Sequence, residues 1–173
     1  DSKILSIMKN EAYYQAYLSH HHISRRGLLR HVFPATKSTI EKTQSRPPFS
    51  AREDLFSAVC NGCGECASAC PNGLIQLKQQ QATLEIDYAP CDLCGKCSEV
   101  CPTNALHPNF PADTLLRPQF SSACLILQNQ TCPDCQTACP QQAISSTLEI
   151  DNERCNGCGE CKITCFVAAI TLK

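Results

Sequence analysis

Tryptophan is absent from this 173-residue chain, methionine occurs once, and phenylalanine and tyrosine together number ten. The longest apolar runs, such as Phe166-Val-Ala-Ala-Ile170, are about five residues long, far short of the ~20 that a membrane-spanning helix needs. Sixteen cysteines are counted within the 43% apolar content, which leaves roughly a third of the chain for an ordinary core. Domains so poorly supplied rely on disulfides or metals. No run of Lys or Arg suggests nucleic acid as a partner. No nucleophile–base pair and no phosphate-binding loop is present, so the expectation is a protein that is not an enzyme.

Charge and cysteine are both unevenly placed. Residues 1–59 carry nine Lys/Arg against five Asp/Glu, and residues 60–173 carry six against eleven, a net +4 followed by a net −5. All sixteen cysteines lie between Cys60 and Cys165. A basic, cysteine-free arm therefore precedes an acidic, cysteine-dense body.

The cysteines form four groups. Cys60, Cys63, Cys66 and Cys70 have the spacing C-x2-C-x2-C-x3-C, followed by Pro71. Cys91, Cys94, Cys97 and Cys101 repeat it before Pro102, and Cys155, Cys158, Cys161 and Cys165 repeat it before Phe166. Cys124, Cys132, Cys135 and Cys139, followed by Pro140, open with an enlarged C-x7-C gap. Disulfides need no such register, and zinc sites use pairs of C-x2-C without a third equally spaced cysteine. The spacing is that of bacterial [4Fe–4S] runs, in which the fourth cysteine serves a second cluster. Three thiolates two residues apart can wrap one cube. The fourth is expected to begin or sit within a short helix and to point the other way. Four [4Fe–4S] clusters follow, on Cys60, Cys63, Cys66 and Cys101; on Cys91, Cys94, Cys97 and Cys70; on Cys155, Cys158, Cys161 and Cys139; and on Cys124, Cys132, Cys135 and Cys165. Cys124 either reaches in from its longer loop to complete a cube or is a buried core thiol.

Internal repeats indicate two modules. Cys60-Asn-Gly-Cys-Gly-Glu-Cys66 recurs as Cys155-Asn-Gly-Cys-Gly-Glu-Cys161, and Thr83-Leu-Glu-Ile-Asp87 recurs as Thr147-Leu-Glu-Ile-Asp151. The latter alternates apolar and acidic residues with the period of a half-buried strand. Each module reads as cysteine loop, short helix, hairpin, cysteine loop, short helix and final strand, the second hairpin being shorter. Apolar pairs follow each run: Leu74-Ile75, Ala105-Leu106, Ala143-Ile144 and Ala169-Ile170. The expected architecture is α+β: two tandem bacterial-type 2[4Fe–4S] ferredoxin modules, at 51–110 and 119–173, after a partly flexible basic N-terminal arm at 1–50. The Pro-containing stretch 103–122 connects them. Within the arm, residues 3–18 have roughly helical apolar spacing, and His20, His21, His22 and His31 read as a solvated stretch rather than a metal site. Ser24-Arg25-Arg26-Gly27-Leu28-Leu29-Arg30 looks like a twin-arginine export signal, but His31, Pro34, Lys37, Glu41 and Lys42 follow where an apolar segment should stand. That and the need for free thiolates point to the cytoplasm.

The cysteine runs resemble the bacterial two-cluster ferredoxins in duplicate. Ser24-Arg-Arg-Gly-Leu-Leu29, Arg46-Pro-Pro-Phe49 and the gap from Cys124 to Cys132 resemble the NapF-type ferredoxins over about residues 24–173. The resemblance implies a cytoplasmic iron–sulfur protein that binds the immature catalytic subunit of periplasmic nitrate reductase before export and assists its maturation. Arg25, Arg26, Leu28, Leu29 and Arg30 are then the candidate docking element. The competing expectation is a general electron-transfer ferredoxin or an electron-transfer subunit. The electron donor is unknown under either.

Overall fold

Apolar residues are scarce, and they gather in two clusters, each built together with cysteines of one module. The computed structural model describes residues 44–173. The expected helix over 3–18, the arm histidines and the docking candidates Arg25, Arg26, Leu28, Leu29 and Arg30 lie outside the described residues.

Helix α1 (Glu53–Val59) opens on Glu53 and Asp54 and buries Phe56, a placement of acidic residues that suits the positive end of a helix dipole. The short helix α2 (Glu65–Ala69) follows. Strands β1 (Ile75–Lys78) and β2 (Gln81–Leu84) then form an antiparallel hairpin with Ile75 opposite Leu84 and Lys78 opposite Gln81. Its two turn residues, Gln79 and Gln80, both have positive φ, the backbone of the tight hairpin turn that matches strand twist. Glu85 extends the pairing by donating its N–H to the Leu74 carbonyl at 2.8 Å, and Ile86 is buried. The first Thr-Leu-Glu-Ile-Asp copy is thus strand only in its first two residues, Thr83 and Leu84, with one further backbone bond at Glu85.

The second copy is not a full strand. Ile144 and Ile150 form an isolated bridge, flanked by Ser145 N–H to the Glu149 carbonyl at 3.0 Å and Asp151 N–H to the Ala143 carbonyl at 2.9 Å. The shorter spacing between Cys139 and Cys155 leaves room for the turn and little more.

Helices α3 (Lys96–Glu99), α4 (Asp134–Thr137) and α5 (Glu160–Thr164) are each four or five residues long. Strand β3 (Pro118–Phe120) lies ahead of Cys124 and pairs antiparallel with the final strand β4 (Ile170–Leu172), Phe120 opposite Ile170. Each module is closed this way, by a segment preceding its first cysteine. In the first module the closure is a bridge between Ser50 and Leu106, with Ala51 N–H to the Ala105 carbonyl and His107 N–H to the Phe49 carbonyl, both at 2.9 Å.

That closure corrects the expected arm boundary at residue 50. Residues 44–50 belong to the folded body, and Arg46 explains why. Its guanidinium gives two bonds to Glu53, at 2.8 and 2.6 Å, one to the Gln81 side chain at 2.6 Å and one to the Ala82 carbonyl at 2.9 Å. It also lies 4.5 Å over the Phe56 ring. The Arg46 bonds hold the Glu53 carboxyl below the usual carboxylate range. Pro47 is fully buried beside it. The connection 103–122 is likewise more than a link. Thr114 is buried, its N–H donates to the Asn156 carbonyl at 3.1 Å, and its hydroxyl donates to the Gly157 carbonyl at 2.8 Å.

Arg46→Met keeps the length and removes every donor. Glu53, Gln81 and the Ala82 carbonyl then lose their partner in a partly buried setting, and the expected loss is about 2–4 kcal/mol. Anaerobic denaturant unfolding measures it. Arg46→Lys is expected to retain less than half of that stabilisation, because one ammonium cannot make the bidentate contact and lie flat on Phe56.

Candidate metal centres

The three intact runs build their loops alike. Gly64, Gly95 and Gly159 all take left-handed φ between 79 and 85° and each starts a helix, α2, α3 and α5. The third cysteine, Cys66, Cys97 or Cys161, lies on that helix and is buried. The fourth follows the helix instead of beginning or lying within it: Cys70 and Cys165 are its extended C-caps, and Cys101 comes after Val100, the C-cap of α3. This corrects the expected placement, and the reason is steric. One turn of helix separates the third and fourth thiols, and leaving the helix lets the fourth turn toward another loop.

A second local device recurs four times. After the last cysteine of each run, the residue three positions on has positive φ: Gly73, Asn104, Gln142 and Ala168. Its N–H returns to the cysteine carbonyl, at 3.1, 3.4, 3.0 and 2.9 Å in that order. Proline follows three of the four cysteines, where its fixed φ suits the first corner of such a turn. Amides one or two residues further on then reach the sulfur. Leu74 N–H donates to Cys70 Sγ at 3.4 Å, Leu106 to Cys101 Sγ at 3.5 Å, Ala143 to Cys139 Sγ at 3.4 Å and Ala169 to Cys165 Sγ at 3.4 Å. The apolar pairs read from sequence as core therefore also carry N–H···S donors. A backbone donor leaves no side-chain signature; the apolar pair four or five residues after the last cysteine was its only trace.

The turns bring the thiols together in crossed sets. Cys60, Cys63, Cys66 and Cys101 line one pocket with about 310 Å³ of empty space, partly open to solvent. Cys70, Cys91, Cys94 and Cys97 line another of about 360 Å³. Burial pushes the Cys66 thiol up to about 11, with Cys101, Cys60 and Cys63 adding like-charge repulsion. Burial pushes Cys97 to about 12, with Cys91 the first of its charged neighbours. In the second module burial likewise pushes Cys161 to about 12, with Cys158, Cys155 and Cys139 beside it. Burial raises Cys135 too, and its thiolate neighbours are Cys124, Cys132 and Cys165.

The enlarged gap is closed by a compact loop. A 3-10 turn spans Ile126–Gln128, Asn129 caps it with φ 60°, and Gln130 N–H returns to the Leu125 carbonyl at 2.9 Å. Cys124 emerges buried beside Cys135. Pro133, with φ −91°, stands at the start of α4 where the other runs have glycine.

The donor set fits iron–sulfur cubes. Unmetallated thiols with raised pKa hold their protons, and a cationic core that replaces those protons relieves both burial and repulsion. Among the described residues no three or more His, Cys, Asp or Glu side chains are placed to hold a single metal ion. A cube takes its thiolates from farther apart than a single ion does.

Known proteins agree. Residues 59–105 match the 4Fe-4S dicluster domain and residues 148–171 match the 4Fe-4S binding domain. Over 165 residues the chain is 36% identical to the ferredoxin-type protein NapF of Haemophilus influenzae, spanning 87% of this chain and 93% of that one. The chain belongs to the NapF-type ferredoxins. It is 31% identical over 157 residues to the NapF of Escherichia coli, spanning 86% of this chain and 93% of that one. An uncharacterized protein of the same Haemophilus strain is 99% identical over 166 residues, spanning 96% of this chain and all of the other. NapF-type ferredoxins are iron–sulfur proteins with repeated 4Fe-4S domains, and this chain is one of them. Cys124, Cys132, Cys135 and Cys139 stand outside both matched stretches.

Gly157 gives a direct test of the loop construction. It has φ 69°, and an added Cβ would collide with Thr114 Oγ1 and with the Leu116 carbonyl oxygen. Gly157→Ala is expected to destabilise the second module by about 2 kcal/mol or more, measured by anaerobic unfolding, while Gly64→Ala, facing only Leu77 at 3.6 Å, carries the backbone strain alone.

Proposed function

We propose that the sixteen cysteines hold four [4Fe–4S] clusters in the crossed sets described above, and that the protein uses them to assist maturation of the catalytic subunit of periplasmic nitrate reductase before its export. The observation that carries the four-cluster reading is the meeting of Cys124, Cys132 and Cys135 with Cys165, since that set includes the group outside the family matches. Each cluster supplies one-electron redox chemistry when bound. The chain's own contribution is to bury the sulfurs, direct four amides at them and leave Cys63 and Cys94 exposed. N–H···S bonds and solvent exposure are the two means of tuning potential that these residues supply. The role is that of a carrier and accessory factor, not an enzyme.

The partner reading rests on the family and on charge. Residues 60–173 have formal charge −5, and four oxidised cubes with their thiolates take it to about −13. Residues 1–43 ahead of the folded body carry seven Lys/Arg against three Asp/Glu, a net +4. Arg25, Arg26 and Arg30, with Leu28 and Leu29 between them, combine charged steering with a small apolar anchor. We assign to them the contact with the immature reductase subunit in the cytoplasm, where thiolates stay reduced. Among the described residues no helix is long and apolar enough to cross a membrane. One observation favours the second reading, a general electron-transfer ferredoxin. The same Haemophilus strain holds both a NapF and the protein almost identical to this chain, and two NapF-type ferredoxins in one cell can serve different acceptors.

Two measurements test these readings. Anaerobically prepared protein should contain about sixteen irons and sixteen labile sulfides per chain, and Cys124→Ser should convert or remove one cluster while the other three spectra persist. Near-stoichiometric zinc with little iron overturns the cluster reading. For the partner, affinity capture from nitrate-grown cells lacking NapF should recover the reductase catalytic subunit with its export signal attached. Arg25→Ala with Arg26→Ala should weaken that capture and its salt dependence with cluster spectra unchanged; capture that ignores both changes removes the arm from the interface.

A further inference from the structure

The two modules touch through their cysteine loops. Cys91 N–H donates to the Cys158 carbonyl at 2.8 Å. Cys91 stands with Cys70, Cys94 and Cys97, and Cys158 stands with Cys139, Cys155 and Cys161. The junction is held from the side by Lys162, whose Nζ donates to the Ile86 carbonyl at 2.6 Å and to Asp87 Oδ1 at 2.8 Å. It is also sealed by apolar contact. Ile163 and Leu172 of the second module pack against the cluster of the first that contains Ile86, and Ile86 lies against the bare Cα of Gly159.

We propose that electrons cross between the modules at Cys91 and Cys158, so that the four sites form one line. This rests on the four-cluster reading above. Within the first module Cys97 has Cys66 among its charged neighbours, and within the second Cys161 has Cys135. The line therefore runs from the Cys60 set to the Cys91 set, across the junction to the Cys158 set, and ends at the Cys124 set. Crossing takes one electron: the set holding Cys91 is oxidised by one unit and the set holding Cys158 is reduced by one. No covalent bond forms or breaks and no proton moves. The connecting route is two cysteine residues and one hydrogen bond, beside the apolar contact of Ile86, Ile163 and Leu172. Lys162 is a positioning residue. It touches no sulfur, and its bonds to residues 86 and 87 fix one module's loop against the other's.

The test uses the full chain, reduced anaerobically with a low-potential europium(II) chelate. Iron analysis comes first: a wild-type content well short of sixteen irons overturns the four-cluster reading, and the line with it. With full iron, the reduced wild type should show electron-spin splitting beyond the sum of two separate cluster pairs. A spectrum that is only two isolated pairs overturns the line alone. Lys162→Glu places a carboxylate against Asp87 and the Ile86 carbonyl, and should free the Cys91 amide to hydrogen exchange with iron content unchanged and the extra splitting lost. Retained splitting with a freely exchanging Cys91 amide overturns the crossing. A Cys91 amide still protected in this variant overturns the role of Lys162. Should Lys162→Glu fail to load iron, Lys162→Ala answers the same questions without the added charge.

Discussion

Four thiolates cannot share a small buried space unless something positive stands among them. Burial lifts the thiols of Cys97 and Cys161 to about 12, with their charged neighbours pushing in the same direction. The polypeptide nevertheless brings such groups together four times. Its short helices, one small hairpin and one two-stranded closure are too slight to oppose that repulsion by themselves. The apolar clusters are built around cysteines as much as around leucines, so the same residues serve as core and as ligand. Stability and cofactor retention are then one property, and loss of a cluster removes the centre of a module.

The two modules solve this in unequal ways. The first has a true hairpin, a buried Arg46 and a helix, α1, ahead of its cysteines. The second has only a bridge at Ile144 and Ile150, and compensates with the connection wrapped over it. Thr114 bonds to its loop, and Arg117 and Lys173 exchange backbone hydrogen bonds at 2.7 and 3.0 Å. The Cys124 excursion fits the same logic. A loop with its own internal turn can deliver a thiol from the strand side, where an ordinary run delivers it from within the loop.

Much of this was legible in the sequence because cysteine spacing is a geometric statement. Three residues at equal short intervals can face only one small body, and a fourth beyond a helical turn must face another. The repeated Asn-Gly-Cys-Gly-Glu motif likewise announced two modules. The closing strand ahead of each module was less visible. Arg46-Pro-Pro-Phe49 carries prolines, and its buried role depends on Glu53, Gln81 and Ala82, which come from separate places in the chain. Nor does any pattern mark Lys162 or Asp87 as partners, because their contact belongs to the docking of two modules and not to either one. The amides on Cys70, Cys101, Cys139 and Cys165 are invisible for a different reason, being backbone.

The uneven exposure of the thiols has a consequence for life in air. Cys63 and Cys94 are exposed, while no cysteine of the second module is. Oxidants attack accessible thiolate sulfur first. Damage is therefore expected to start in the first module, at sulfurs on two different sets, Cys63 of one and Cys94 of the other. A protein exposed briefly to oxygen would fail from one end first.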